Sequence, residues 1–182
     1  MLYISESGNL YLIYRRMEVK TTGLRLESLH GTLLDGELVT TNREGQKIRL
    51  FLVFDLYFLD KNDVRGFPFQ RTLADIEQYE SSNGRVGIPY SRYELLEQKV
   101  IPLLAEISRP EYLTIELKPF RFGNCDLEEP SIFQESKTLL EEIDEGVFQY
   151  PCDGLVYLPY QYPVGGDYPV QTLVERNNKE GQ

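Results

Sequence analysis

Three stretches of this 182-residue chain place an acid or an aromatic inside an otherwise apolar run: TLLDGELV (32–39), FLVFDLYFLD (51–60) and CDGLVYLP (152–159). A carboxylate flanked on both sides by apolar residues is costly unless it is paired, hydrogen-bonded or holding a cation. Glu37 and Asp153 both stand in that position, and Phe54 stands inside the second run. Taken singly, each stretch has an ordinary structural explanation, because Asp-Gly is a favoured turn dipeptide and a phenylalanine in an apolar strand usually packs in a core. Other reactive side chains are scarce. His30 is the single histidine, which excludes any site needing two imidazoles; a Ser/His/Asp triad would rest on it with no GxSxG elbow nearby, so it is read as structural. Cys125 and Cys152 are too few and too far apart for a disulfide framework or a paired CxxC zinc site, and are expected to be buried thiols.

The elements that must position these residues follow from periodicity. LYIS (2–5), NLYLIYR (9–15), TLLDGELVT (32–40) and KIRLFLVFDLYFL (47–59) read as strands. SESGN and NREGQ read as turns that join them into two hairpins, which makes the sheet antiparallel. SRYELLEQKVIPLLAEI (91–107) changes to helical spacing, with Ser91 as N-cap and Pro102 expected to kink or split it. YLTIELKPF (112–120) returns to strand, and SIFQESKTLLEEI (131–143) is helical, with Ser131 and Gln134 in capping-box spacing. CDGLVYLP is expected to be a final strand. From Tyr160 onward Pro, Gly, Asp and Asn predominate, which reads as loop and frayed tail.

Nineteen Lys and Arg oppose 29 Asp and Glu, a net charge of −10. That balance disfavours sequence-blind binding to a phosphate backbone, which depends on many cations releasing counterions. With 41% hydrophobic residues the chain can bury a sizeable core, and wholesale disorder is excluded. No apolar run approaches the roughly 20 residues of a membrane helix, and no secretory signal pattern opens the sequence. No membrane partner is expected, and the expected location is intracellular, with nucleus, cytoplasm and virion not distinguished. Thirteen Tyr and nine Phe without any Trp mostly signal core, so Tyr11, Tyr14, Phe51, Tyr57 and Phe58 carry no assigned role.

Together and in this order, the three stretches resemble motifs III, IIIa and IV of the covalent nucleotidyltransferase superfamily of mRNA capping enzymes and DNA and RNA ligases. TLLDGELV followed by FLVFDLYFL and DGLVYLP is most similar to the guanylyltransferase of capping enzymes of large DNA viruses or eukaryotes. KPFRFG (118–123) and the helix after it also fall where that family has a Lys-Pro-Phe strand end and a helix. The resemblance implies an α+β nucleotidyltransferase domain, an antiparallel sheet core with flanking helices, holding GTP beside a lysine that attacks the α-phosphate. The GMP then passes to an RNA 5′ diphosphate end, with Mg2+ (or Mn2+) offsetting phosphate charge. Carried over by position, Glu37 contacts ribose or metal-bound water, Phe54 stacks on guanine, Asp153 helps hold the metal, and Arg15 lies near the nucleotide. Lys118 is either a phosphate contact or a surface charge.

The sequence also departs from that pattern. The family's nucleophile belongs to a Lys-x-Asp-Gly segment, and the only Asp-Gly pairs here follow Leu33 and Pro151 at the lysine position. The expected organisation is a partial nucleotidyltransferase domain over 1–160, lacking that motif I, and a loop and tail over 161–182. The two lysines flanking a Trp of motif V have no counterpart; QTLVERNN (171–178) offers Arg176 alone. No OB-fold domain is expected. The chain reads as part of a capping enzyme completed by its remainder, or as a non-catalytic binding or scaffold remnant, or as a ligase-type adenylation domain using ATP.

Overall fold

A computed structural model describes residues 1–123, 131–161 and 163–165. It is mixed α+β, built on a mostly antiparallel sheet. Strands β1 (Leu2–Ile4), β2 (Asn9–Ile13), β3 (Val19–Arg25), β4 (Thr32–Thr41), β5 (Lys47–Leu59) and β6 (Asn62–Asp63) lie in the order β3-β2-β1-β4-β5-β6. Both expected hairpins form, β1 with β2 and β4 with β5. β3 was not anticipated from its polar sequence, VKTTGLR, and joins the sheet by pairing with β2. One pairing corrects the all-antiparallel expectation: β7 (Thr114–Leu117) runs parallel to β5 over Leu50–Val53. β4 occupies one edge of β5, while β7 and β6 take opposite ends of the other.

Alternation along the strands sends one set of side chains inward. Leu2, Ile4, Leu10, Leu12, Leu34, Phe51, Val53 and Leu56 form the inner face and pack against Leu95, Leu96, Val100 and Leu104. Those four come from one continuous helical stretch, α2 (Arg92–Leu95), a π-turn (Leu96–Val100) and α3 (Ile101–Ile107). The π-turn is how the chain absorbs Pro102. Ile101 N–H reaches back five residues to the Leu96 carbonyl, so the helix widens by one residue just before a position that can donate no bond. Ser91 caps this stretch as expected, in a reciprocal box with Glu94. A further helix, α1 (Leu73–Ser81), escaped the sequence reading because it buries no residue and so carries no apolar stripe.

α4 (Ile132–Glu145) forms where expected, with the Ser131 hydroxyl accepting from Phe133 N–H and Gly146 in the left-handed conformation closing its far end. None of its residues is fully buried. Arg43, from the β4–β5 turn, holds that end by donating to the Ile143 carbonyl at 2.8 Å. The chain then folds Phe148, Tyr150 and Cys152 onto Leu50 and Leu52, covering the outer face of β5. The expected strand 152–159 does not form; those residues have no regular structure, and Val156, Tyr157 and Leu158 are exposed. An apolar run becomes a strand only where a sheet edge accepts its backbone bonds, and among the described residues none pairs with it. Among the described residues no helix is long and apolar enough to cross a membrane.

Candidate functional site

Asp35-Gly36-Glu37 is not a turn; it lies inside β4. The close approach of β5 explains the glycine, since a Cβ at Gly36 would lie 2.5 Å from the Leu52 carbonyl oxygen and 2.6 Å from the Phe51 ring. Register pairs Gly36 with Val53 and Asp35 with Asp55, which leaves Phe54 as the extra residue of a β-bulge between them. The two stretches singled out in the sequence therefore meet at a single point of the sheet. Phe54 is half-buried and belongs to neither apolar cluster.

Alternation with the inward Leu34 and Leu38 puts Asp35 and Glu37 on the outer face. Glu37 is accordingly exposed, at 58% of its side chain, which corrects the expectation that its apolar neighbours bury it. It is paired all the same: Lys118 Nζ, just past β7, donates to Glu37 Oε2 at 3.2 Å. Lys118 is also fixed through its backbone, whose N–H donates to the Val53 carbonyl at 2.7 Å. Asp35 Oδ2 accepts from the Tyr57 hydroxyl at 2.7 Å, and its other oxygen from Gly36 N–H at 2.9 Å. Burial, and then that bond to Asp35, push the Tyr57 hydroxyl well above the usual tyrosine range.

Asp55 would face Asp35 as a like charge directly across the strands, which destabilises a sheet. A cation resolves this. Arg92 Nε lies 2.7 Å from Asp55 Oδ1 and Nη2 3.1 Å from Oδ2, a two-pronged pair, while Nη1 donates to the Phe67 carbonyl. Its guanidinium also stands 5.6 Å from the Phe69 ring, in a group of rings completed by Tyr93, Phe120 and Phe122. Arg92 is only 4% exposed. The sequence reading gave neither Arg92 nor Asp55 a role. The available signal was position: Arg92 stands three and four residues before Leu95 and Leu96, on the helix stripe that faces the core.

Asp153 is exposed and lies on the irregular segment, so the argument from apolar burial fails for it as well. Beside it in the chain, the half-buried Cys152 thiol is pushed up chiefly by burial, with Lys118 and Arg43 lowering it and Asp153 and Glu37 raising it. A groove of about 330 Å3 lies between Glu116, Leu117 and Pro119 on one side and Phe148 and Tyr150 on the other. Arg15 does not end a strand: β2 stops at Ile13, and Arg15 is exposed in the turn to β3, two strands away from β4. His30 is exposed beside the Glu27 carbonyl and belongs to a turn. Cys125, Arg176 and the rest of QTLVERNN lie outside the described residues. Among the described residues no group of three or more His, Cys, Asp or Glu could hold a metal ion.

The register sets an aromatic residue at a bulge of β5, and β4 opposite it carries a carboxylate paired with an ammonium. No protein-family model matches the chain, and no curated protein matches it.

Proposed function

We propose that the chain is the nucleotide-binding core of an mRNA guanylyltransferase. It holds GTP with Mg2+ (or Mn2+) and passes GMP to an RNA 5′ diphosphate end once a segment bearing the nucleophilic lysine completes it. The observation that carries this reading is the register of β4 on β5, which sets Phe54 against Asp35-Gly36-Glu37 at the bulge. In this reading Phe54 stacks on guanine, Glu37 meets the ribose or metal-bound water, and Arg15 approaches the nucleotide from the β2–β3 turn. Mg2+ in nucleotide sites takes one or two carboxylates and completes its shell with phosphate oxygens and water, and in this reading Glu37 and Asp153 would be the protein's share. The metal supplies charge compensation at the phosphates and the departing pyrophosphate.

A second reading has an observation of its own. Lys118 already pairs with Glu37, which competes with a metal or a ribose for that carboxylate and so favours a docking surface without catalysis. Calorimetric titration with GTP and with ATP, each with and without Mg2+, separates the readings. Mg2+-dependent binding that prefers GTP supports the guanylyltransferase core. Preference for ATP supports a ligase-type adenylation domain, and binding of neither nucleotide supports the scaffold. No Lys-x-Asp-Gly occurs in the sequence, so the chain incubated with labelled GTP and Mg2+ should form no protein–GMP adduct of the alkali-stable, acid-labile kind that a lysine phosphoramidate gives.

A further inference from the structure

We infer that Arg92 is a positioning residue of the nucleotide site, acting on the base through Asp55 and the bulge that carries Phe54; this rests on the nucleotide-binding reading above. The bulge is where β5 loses its neighbours. Among the described residues β7 pairs with β5 only as far as Val53 and β6 begins only at Phe58, so on that edge no strand pairs with residues 54–57, and the first bond beyond the gap is Val64 N–H to the Tyr57 carbonyl at 3.0 Å. On the other edge Phe54 is the residue skipped by β4. A bulged residue with no ladder partner takes its direction from whatever fixes the residues on either side.

Both flanks are fixed from outside the β4–β5 hairpin. The Val53 carbonyl accepts from Lys118 N–H at 2.7 Å. Asp55 is gripped by two prongs of Arg92, and Leu56 N–H donates to Asp55 Oδ1 at 2.7 Å. Arg92 is itself anchored away from the hairpin. It sits at the start of a capped helix, donates to the Phe67 carbonyl and lies over the Phe69 ring. A planar guanidinium imposes the orientation of a carboxylate as well as its charge, which the single ammonium of a lysine does not. Burying such a pair is a poor way to gain stability alone, because desolvation cancels much of the attraction. Its geometric effect falls on the one half-buried ring of this bulge that neither core cluster claims.

The test is a double-substitution cycle read by GTP affinity in the presence of Mg2+. Arg92→Lys keeps the charge and removes the fork, and is expected to weaken GTP about 10-fold, the low end of what loss of base stacking costs. Phe54→Ala is expected to weaken GTP by a similar or larger factor. Arg92→Lys placed on top of Phe54→Ala is expected to change nothing further, although it still lowers the melting temperature. A purely structural role would give the same fold-loss in both backgrounds, and that result overturns the inference. Asp55→Asn, which keeps the shape of the carboxylate, serves in the same cycle should Arg92→Lys fail to fold. Should the unsubstituted chain bind no GTP, the nucleotide reading falls and this inference with it; additive losses in a chain that does bind GTP remove the inference alone.

Discussion

The β4–β5 junction and the segment after α4 began as similar sequence patterns and ended as different structures. FLVFDLYFL pairs along both edges, buries Phe51, Val53 and Leu56 completely, and braces its acid with a buried arginine. DGLVYLP pairs with no strand among the described residues, leaves Val156 81% exposed, and is tied to α4 by one hydroxyl contact, Tyr157 to Ser136 at 2.9 Å. An apolar run with an acid thus specifies an environment only where neighbours complete it. One half of the candidate site is held by register and core packing; the half carrying Asp153 is anchored by Tyr150 and Cys152 packed on Leu50 and Leu52, and beyond them by surface contacts.

The largest test of that contrast is Arg92→Leu, which leaves the mostly buried Asp55 carboxylate unpaired by Arg92 and should cost about 3 kcal/mol in chemical denaturation. Replacing Asp55 with Leu at the same time should restore most of the loss, since the uncompensated charge goes with it. Equal instability of the double variant would mean that the pair's hydrogen bonds, rather than its charge balance, hold the junction.

Next in size, Gly36→Ala should destabilise by roughly 1–3 kcal/mol, because its methyl must displace the Leu52 carbonyl or the Phe51 ring. A neutral result would show that the strands can separate at the bulge and that the junction is less rigid than the register implies.

Alkaline titration should touch both regions. Tyr93, in the ring group beside Arg92, is pushed up to about 12 by burial and its bond to Glu97. Tyr150, under the segment after α4, is pushed up to about 12 by burial and by nearby negative charges. Each folded value lies above the ordinary value near 10, so the stability tied to the neutral hydroxyl is complete below pH 10 and is lost as pH rises toward about 12. Tyr93→Phe and Tyr150→Phe should each flatten that loss in a pH series of denaturant melts. Unchanged slopes in both would show that neither ring is shielded from water.

The smallest expected effect is Val156→Ser, within about 0.5 kcal/mol in the same melts, since the side chain is already exposed. A loss of 1 kcal/mol or more would place this segment in the cooperative unit of the sheet.

Alternation and turn chemistry made both hairpins, the Ser91 and Ser131 caps and the disruption at Pro102 readable from sequence, because those signals act within a few residues. Whether a run such as CDGLVYLP becomes a strand depends on a free sheet edge, which no local pattern encodes. The same holds for the bulge at Phe54, the pairing of Glu37 with Lys118 across 81 residues, and the grip of Arg92 on Asp55 across 37. The sequence by itself determined which residues alternate, where helices start, and that Phe54, Glu37 and Asp153 were worth attention. Only the tertiary structure decided that Glu37 faces water and that a core arginine steadies the bulge, because register and burial are properties of the packed chain and not of any segment within it.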